Sequence, residues 1–362
     1  MADAVPRPRA AAPTVAAPGL RGILPAFALA LAGLLAAALL AVSLGPVDIP
    51  PQTVARIVAG HVPGVGIQAD WPARWDAIVW ELRLPRVVLA GLVGASLAYA
   101  GATYQGVFRN PLADPYLIGV AAGAGLGATV IIVSPLSHTY GALSPITVAA
   151  FLGALAAVAL SYTLSRLAGI NRTTALILAG VAVSSIATSI TTFLMMTFPQ
   201  ESVIPVLSWL LGGFNVAGWD RVGVVAPYAV GCWLAALPFG RLLNVLQTDD
   251  EQAAQLGVPV ERVKLLLLAL ASLAAAAAVS VSGLIGFVGL IVPHAARLVW
   301  GPDYRRLLPM SAVLGAAFLI LADLLARTAL DPREIPVGVI TSLIGAPFFL
   351  ALLRLQKGQG LA

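Results

Sequence analysis

Apolar runs bounded by charge, Pro or Gly recur along the chain at 22–44, 84–107, 115–134, 143–165, 173–197, 221–238, 261–281, 287–301, 307–329 and 337–355. Most approach or exceed the roughly 20 residues that a helix needs to cross a bilayer. The run at 287–301 is shorter and predicts a helix that tilts or is sheltered by its neighbours. The pattern predicts an all-α membrane protein of about ten transmembrane helices, organised as one permease-sized domain over 22–355. A disordered tail precedes it at 1–21, and a short tail follows at 356–362. The Pro- and Ala-rich start carries Arg7 and Arg9 ahead of the first apolar run, which reads as a tail before a retained first span rather than a cleaved signal.

Three connections interrupt the spans. The segment 43–83 carries Trp71, Trp75 and Trp80 among Asp70, Asp76 and Glu81, which suits an interfacial helix anchored by aromatics. The segment 198–220 ends in Gly212-Gly213 and is too short and glycine-rich to span, so it predicts a half-buried helix. The segment 239–262 places Asp249, Asp250 and Glu251 together, as a helix N-terminus favours. Gly257 and Pro259 then stop that helix. Gly119, Gly123 and Gly127 form a small-residue ridge suited to close helix packing, within the chain or between subunits.

Composition excludes a soluble domain: 59% of the 362 residues are apolar and 10% charged, against about 25% charged in soluble domains. Mean hydropathy is +0.94. The net charge of +5 comes from 21 Lys and Arg scattered singly between apolar runs, which reads as a topology signal and not as a nucleic-acid surface. With both termini cytoplasmic, the inner segments hold most of these cations, including Arg109, Arg166, Arg241, Arg262 and Lys264. The outer segments hold Arg56, Arg74, Arg83, Arg86, Arg221, Arg327 and Arg333.

The chemistry is sparse. No phosphate loop of the Gly-x4-Gly-Lys-Ser/Thr type occurs, so the chain is not expected to hydrolyse ATP or to act as an enzyme by itself. The single cysteine, Cys232, excludes an intrachain disulfide. His61, His138 and His294 are far apart, so neither a catalytic metal nor a bound cofactor is expected. Asp323 lies four residues before Arg327 and predicts an ion pair rather than a proton relay. A many-span protein with so few midmembrane ionisable groups needs an external energy source.

Four stretches supply a resemblance. Arg83-Leu84-Pro85-Arg86 is followed by Gln105-Gly106-Val107-Phe108-Arg109-Asn110-Pro111-Leu112-Ala113-Asp114-Pro115, then by the run Gly283 to Arg297, and then by Glu334-Ile335-Pro336-Val337-Gly338. In that order the chain resembles the permease subunits of bacterial type II ATP-binding-cassette importers, which take up haem, ferric siderophores and vitamin B12. The resemblance implies a homodimer in the inner (plasma) membrane, with a translocation pathway at its two-fold axis. It also implies two cytoplasmic ATP-binding-cassette subunits that use ATP and Mg, and a periplasmic substrate-binding protein.

Roles follow by matching positions. The segment 249–262 resembles the family's coupling segment, which implies ATPase contacts at Asp250, Glu251, Ala254, Leu256, Gly257 and Arg262. Arg83, Arg86 and Arg327 resemble arginines that receive acidic residues of the binding protein, a task suited to the planar guanidinium fork. Asn110, Leu112, Thr173 and Thr174 match the cytoplasmic gate. Tyr99 and Tyr104 are candidates to face cargo. With no cysteine cluster or paired histidines, the path is expected to pass an already coordinated metal, with haem or a ferric siderophore ahead of cobalamin.

Overall fold

The computed structural model describes residues 20–45, 47–65, 67–136, 143–168 and 172–359; His138 and most of the 1–21 tail lie outside them. Among the described residues every regular element is helical. Seven helical stretches are long and apolar enough to cross a membrane, and three shorter apolar helices, Val120–Ile132, Val288–Trp300 and Val337–Ala351, complete a set of ten.

The centre of the fold is α4 (Leu84–Phe108), of which nearly every residue from Val93 onward is buried. Around it pack α1 (Leu20–Ser43), α9 (Trp219–Ala236), α12 (Val260–Ser282), α13 (Val288–Trp300) and α14 (Tyr304–Thr328). Small residues allow the approach. A Cβ at Gly94 would strike the Gly315 carbonyl of α14, and one at Gly101 would strike the Gly289 carbonyl of α13. A second group of α5 (Val120–Ile132), α6 (Pro145–Leu167) and α7 (Arg172–Thr197) leans on α12. The ridge of Gly119, Gly123 and Gly127 faces α6, meeting Ala157, Gly153 and Ala149, so it serves packing within the chain.

Several predicted spans are broken, each at an identifiable residue. The run 115–134 becomes a 3-10 turn, Pro115–Ile118, capped by Asp114, whose Oδ1 accepts from the Tyr116 amide at 2.8 Å. Gly119 then turns at φ +98° into α5, a conformation open to glycine at little cost. The run 221–238 instead extends. Pro238 has no N–H, so the chain tightens to a 3-10 turn at Leu237–Phe239 and continues as α10 (Gly240–Val245).

The 43–83 connection folds as α2 (Pro51–Gly60) and α3 (Ala73–Ala77). It runs through a π turn, Ile78–Arg83, directly into α4. That turn lies just ahead of Pro85, which cannot donate to the preceding turn. The tryptophans bind this connection to the bundle. His61 stacks on Trp80 at 3.9 Å, and the Trp219 indole donates to the Trp80 carbonyl at 2.8 Å. The 198–220 connection forms α8 (Gln200–Leu211), as the glycine-rich pattern implies.

Candidate functional site

Both ends of the bundle carry candidate residues. At the end opposite the tryptophans, Asp249 opens α11 (Asp250–Gln255) by accepting the Asp250 amide at 2.7 Å. The helix closes in a Schellman turn: the Val258 amide donates to the Ala253 carbonyl and the Gly257 amide to the Ala254 carbonyl, with Gly257 at φ +82°. Gly257 and Pro259 stop the helix as the sequence predicts, so the coupling segment 249–262 consists of α11 and the start of α12, and Arg262 stands in the first turn of α12.

Two cations pin this element to the bundle. Arg109 donates from Nη2 to Asp250 Oδ1 at 2.6 Å and from Nη1 to the Thr248 carbonyl at 2.5 Å, and Lys264 Nζ donates to Asp250 Oδ2 at 2.6 Å. Of the expected coupling residues, Asp250 is therefore an anchor. Glu251, Ala254, Leu256, Gly257 and Arg262 are exposed, and Leu256 is 72% exposed although apolar. Ala253 is fully buried and keys the helix against the bundle. Neither Arg109 nor Lys264 figured as an anchor in the sequence reading. The signal available was a basic residue just after α4 and another in the first turn of α12, near three consecutive acids.

Asn110 and Leu112 sit in the loop after α4, which leaves the helix through Arg109 at φ +52°. Asn110 Oδ1 accepts from the Leu112 amide at 2.9 Å, an Asx turn that holds Leu112 outward, 45% exposed. Thr173 and Thr174 open α7, half-buried and exposed respectively. The following 3-10 turn packs on α7 so closely that a Cβ at Gly180 would strike the Leu117 carbonyl.

At the tryptophan end the three arginines are engaged within the chain. Arg83, 6% exposed, donates to the carbonyls of Val42, Ser43 and Val47 at 2.6–2.9 Å, capping the C-terminus of α1. Arg327 donates to the Ala41 carbonyl of the same helix. Arg86 forks onto two acids, meeting Asp323 at 2.8–3.1 Å and both oxygens of Glu334 at 3.0 Å. Asp323 therefore pairs chiefly with Arg86 across α4 and α14; Arg327 Nε lies 3.9 Å from it. Of these five side chains Glu334 is the most open, at 39%. Tyr99 and Tyr104 are buried inside the bundle. Tyr99 donates to the Cys232 carbonyl at 3.3 Å and Tyr104 shares a 2.6 Å bond with Ser272, so both lock spans together and neither faces a path.

On the same end the termini of three elements are tied backbone to backbone. The Gly213 amide donates to the Ser282 carbonyl at 2.8 Å, and the Val337 amide opening α15 (Val337–Gln359) donates to the Gly212 carbonyl at 3.0 Å. Gly212 and Gly283 both adopt positive φ there. The interrupted stretch between α12 and α13 is thus held by neighbours, as non-helical backbone at membrane depth must be.

Comparison with known proteins bears on these elements together. The FecCD transport family model matches residues 33–355. The chain is 45% identical over 296 residues to the cobalamin import system permease BtuC of Halobacterium salinarum, covering 82% of this chain and 78% of that one. It is 43% identical over 289 residues to the hemin transport system permease HmuU of Yersinia pestis, covering 79% and 86%. A solved structure described as an inward-facing metal-chelate type ABC transporter aligns with a TM-score of 0.79 at 30% identity, over 92% of this chain and 99% of that one. The match spans the helical bundle from within α1 into α15 and so includes the pinned α11 element, the knotted termini and the arginine cluster: the chain belongs to the FecCD transport family, as a multi-pass inner-membrane permease of a type II ATP-binding-cassette importer.

Proposed function

We propose that this permease passes a bulky chelate, haem or a ferric siderophore, from periplasm to cytoplasm by alternating access. It works as a homodimer with both termini cytoplasmic. Two separate ATPase subunits, which bind ATP and Mg, drive it, and a periplasmic binding protein delivers the cargo. The observation that carries the chelate class is the family match over residues 33–355, and haem within that class is supported by the 43% identity to a hemin permease over 79% of the chain. A second reading, cobalamin, is favoured by the 45% identity to a cobalamin permease. Cargo selection belongs to the binding protein in either case.

In this reading the exposed face of α11, with Glu251, Ala254, Leu256 and Gly257, and Arg262 beside it, seats in the ATPase, and Asp250 transmits the push to α4 and α12 through Arg109 and Lys264. Asn110, Leu112, Thr173 and Thr174 narrow the cytoplasmic side. At the other end, Arg86 is the arginine through which the binding protein acts, because its partner Glu334 is open to exchange with an incoming carboxylate. Arg83 and Arg327 support that contact by fixing the end of α1. The exposed hydroxyls of Ser185, Thr188, Ser189 and Thr192 along α7 suit a pathway wall better than lipid.

The deciding experiment reconstitutes permease, ATPase and binding protein in vesicles and compares ATP-driven uptake of haem, a ferric siderophore and cobalamin. Preferential cobalamin uptake selects the second reading. Uptake driven by a proton gradient without the ATPase would overturn the importer assignment.

A further inference from the structure

The outward face of α9 contrasts with the hydroxyl stripe of α7. Gly223, Pro227, Val230, Gly231, Leu234 and Pro238 recur at helical spacing, all exposed and all apolar, and a Cβ added at Gly223 or Gly231 would meet nothing within 4 Å. A face of this kind suits acyl chains. Helix α9, the 3-10 turn and α10 form one continuous stretch, Trp219–Val245, and the next residue on the stripe is Arg241, which is exposed. At the α-helical rise Arg241 stands about 27 Å along the axis from Gly223, close to the roughly 30 Å thickness of a bilayer's hydrocarbon core. The charge therefore falls where acyl chains give way to headgroups.

Two further cations stand beside it. Helix α10 lies against the first turn of α14 so closely that a Cβ at Gly240 would be 3.0 Å from the Arg305 Cα. Asn244 ties the two helices, donating to Asp303 Oδ1 at 2.6 Å and accepting from the Tyr304 amide at 2.9 Å. This junction gathers Arg241, Arg305 and the half-buried Arg306 on adjacent helix ends. The acid among them, Asp303, is occupied by the Arg305 guanidinium at 2.7–3.1 Å. The next acids along the chain lie elsewhere: Asp249 is 3.8 Å from Arg109, Asp250 is held at 2.6 Å by both Arg109 and Lys264, and Glu251 and Glu261 open α11 and α12. Among the described residues no hydrogen bond or ion pair engages the guanidinium of Arg241 or Arg306. The first amides of α14 are already taken by Asn244 and Asp303, so the free positive charge at the junction belongs to side chains and not to a helix end.

We propose that the junction of α10 and α14 binds the headgroup phosphate of an anionic phospholipid, with Arg241 and Arg306 on the phosphate and the acyl chains along the α9 stripe. Guanidinium forks match phosphate oxygens, and the chains cover Leu234 and Pro238, which a soluble anion leaves bare. The other candidate for cations at this end is the ATPase. Lipid is favoured because the apolar stripe leads straight into Arg241, whereas the face offered to the ATPase is that of α11, which follows after the chain has turned at Thr248 and Asp249. The site requires only that the chain spans a membrane and is independent of the cargo.

The test counts lipids bound to the purified full-length permease by native mass spectrometry as dioleoyl phosphatidylglycerol or dioleoyl phosphatidylcholine is titrated in. Wild type binds the anionic lipid about tenfold more tightly than the zwitterionic one, and the preference shrinks as salt rises. Arg241→Gln and Arg306→Gln each lower it about threefold, and the double variant abolishes it. Arg166→Gln, at an exposed cation in the last turn of α6, leaves it unchanged. Melting profiles in detergent without added lipid, matching those of wild type, show that the variants fold. No preference in wild type, or an undiminished preference in the double variant, overturns the proposal. So does an equal loss in Arg166→Gln, which would make the effect one of general surface charge. Affinity for the ATPase in phosphatidylcholine nanodiscs separates the two occupants: a double variant that keeps its lipid preference and loses the ATPase assigns the junction to that subunit and overturns the lipid site.

Discussion

The two ends of the bundle use the same kinds of residue for opposite purposes. At the tryptophan end, Arg83, Arg86 and Arg327 point inward, where they satisfy helix-end carbonyls and the buried Asp323. At the α11 end one acid, Asp250, is clamped by Arg109 and Lys264, and the side chains beyond it stand in solvent. Charge at the first end closes the structure; charge at the second positions an exposed surface. A cation near the end of a membrane helix therefore does not announce a partner contact. What separates the cases is whether a buried acid or an uncapped helix end lies within its reach.

The comparison breaks most severely at Asp323. Its replacement by Ala leaves Arg86 and Arg327 partly desolvated without their shared counter-charge, which costs about 3–5 kcal/mol. We expect a large fall in the thermal midpoint of the purified permease, partly restored when Arg86 is changed to Met in the same chain. Replacing Asp250 by Asn removes charge from a pair that is 41% exposed on the acid side and should cost only about 0–1 kcal/mol. Equal losses at the two positions would erase the distinction between the ends.

How much of this could be read from the sequence depends on the range of the interaction. The ten apolar runs, the stop at Gly257 and Pro259 and the non-spanning 198–220 segment are local signals, and each corresponds to an element. The Asp323–Arg327 spacing was also local, and that pair forms at 3.9 Å, but it says nothing of the closer partner: Arg86, 237 positions away, reaches the acid because α4 and α14 meet on glycines that bring their backbones together. The anchoring of Asp250 by Arg109 joins residues 141 apart, and the inward turn of Tyr99 and Tyr104 depends on α9 and α12. Periodicity carries no information about such pairings.

At the α11 end the next effect is conformational. Gly257 holds φ at +82°, which proline's ring forbids and which other residues adopt only at a cost of about 1 kcal/mol or more. Gly257→Pro should re-aim the exposed face of α11, abolish uptake and uncouple ATP hydrolysis in the assembled importer, while the isolated permease melts within a few degrees of wild type. Unchanged coupling would reduce the segment to a connector. Leu256→Ser is gentler. It removes an apolar contact that is 72% exposed in the permease alone, so stability should hold while affinity for the ATPase falls about tenfold, as for an interface anchor. An unchanged affinity would move the docking surface elsewhere.

The smallest effect concerns pH, and it falls on the α11 end because acids there remain in contact with water. Asp303 caps α14, accepting from the Arg305 amide at 3.0 Å and from Asn244 at 2.6 Å, with the Arg305 guanidinium beside it. Chiefly through the Arg305 side chain, and despite some burial, its pKa is lowered from 3.8 to about 2. A depressed folded-state value means that the ionised form contributes stability above the unfolded pKa near 4, and that this contribution fades as pH falls through about 2. Removing the cap by Asp303→Ala should cost about 1 kcal/mol at pH 6, the usual worth of an N-cap. The gap to wild type should narrow from pH 4 downward and be smallest near pH 2. Thermal midpoints of the two proteins across that window check the sign: a gap that widens on acidification would mean that the carboxylate is held in its neutral form, and that this end is not the solvent-facing one.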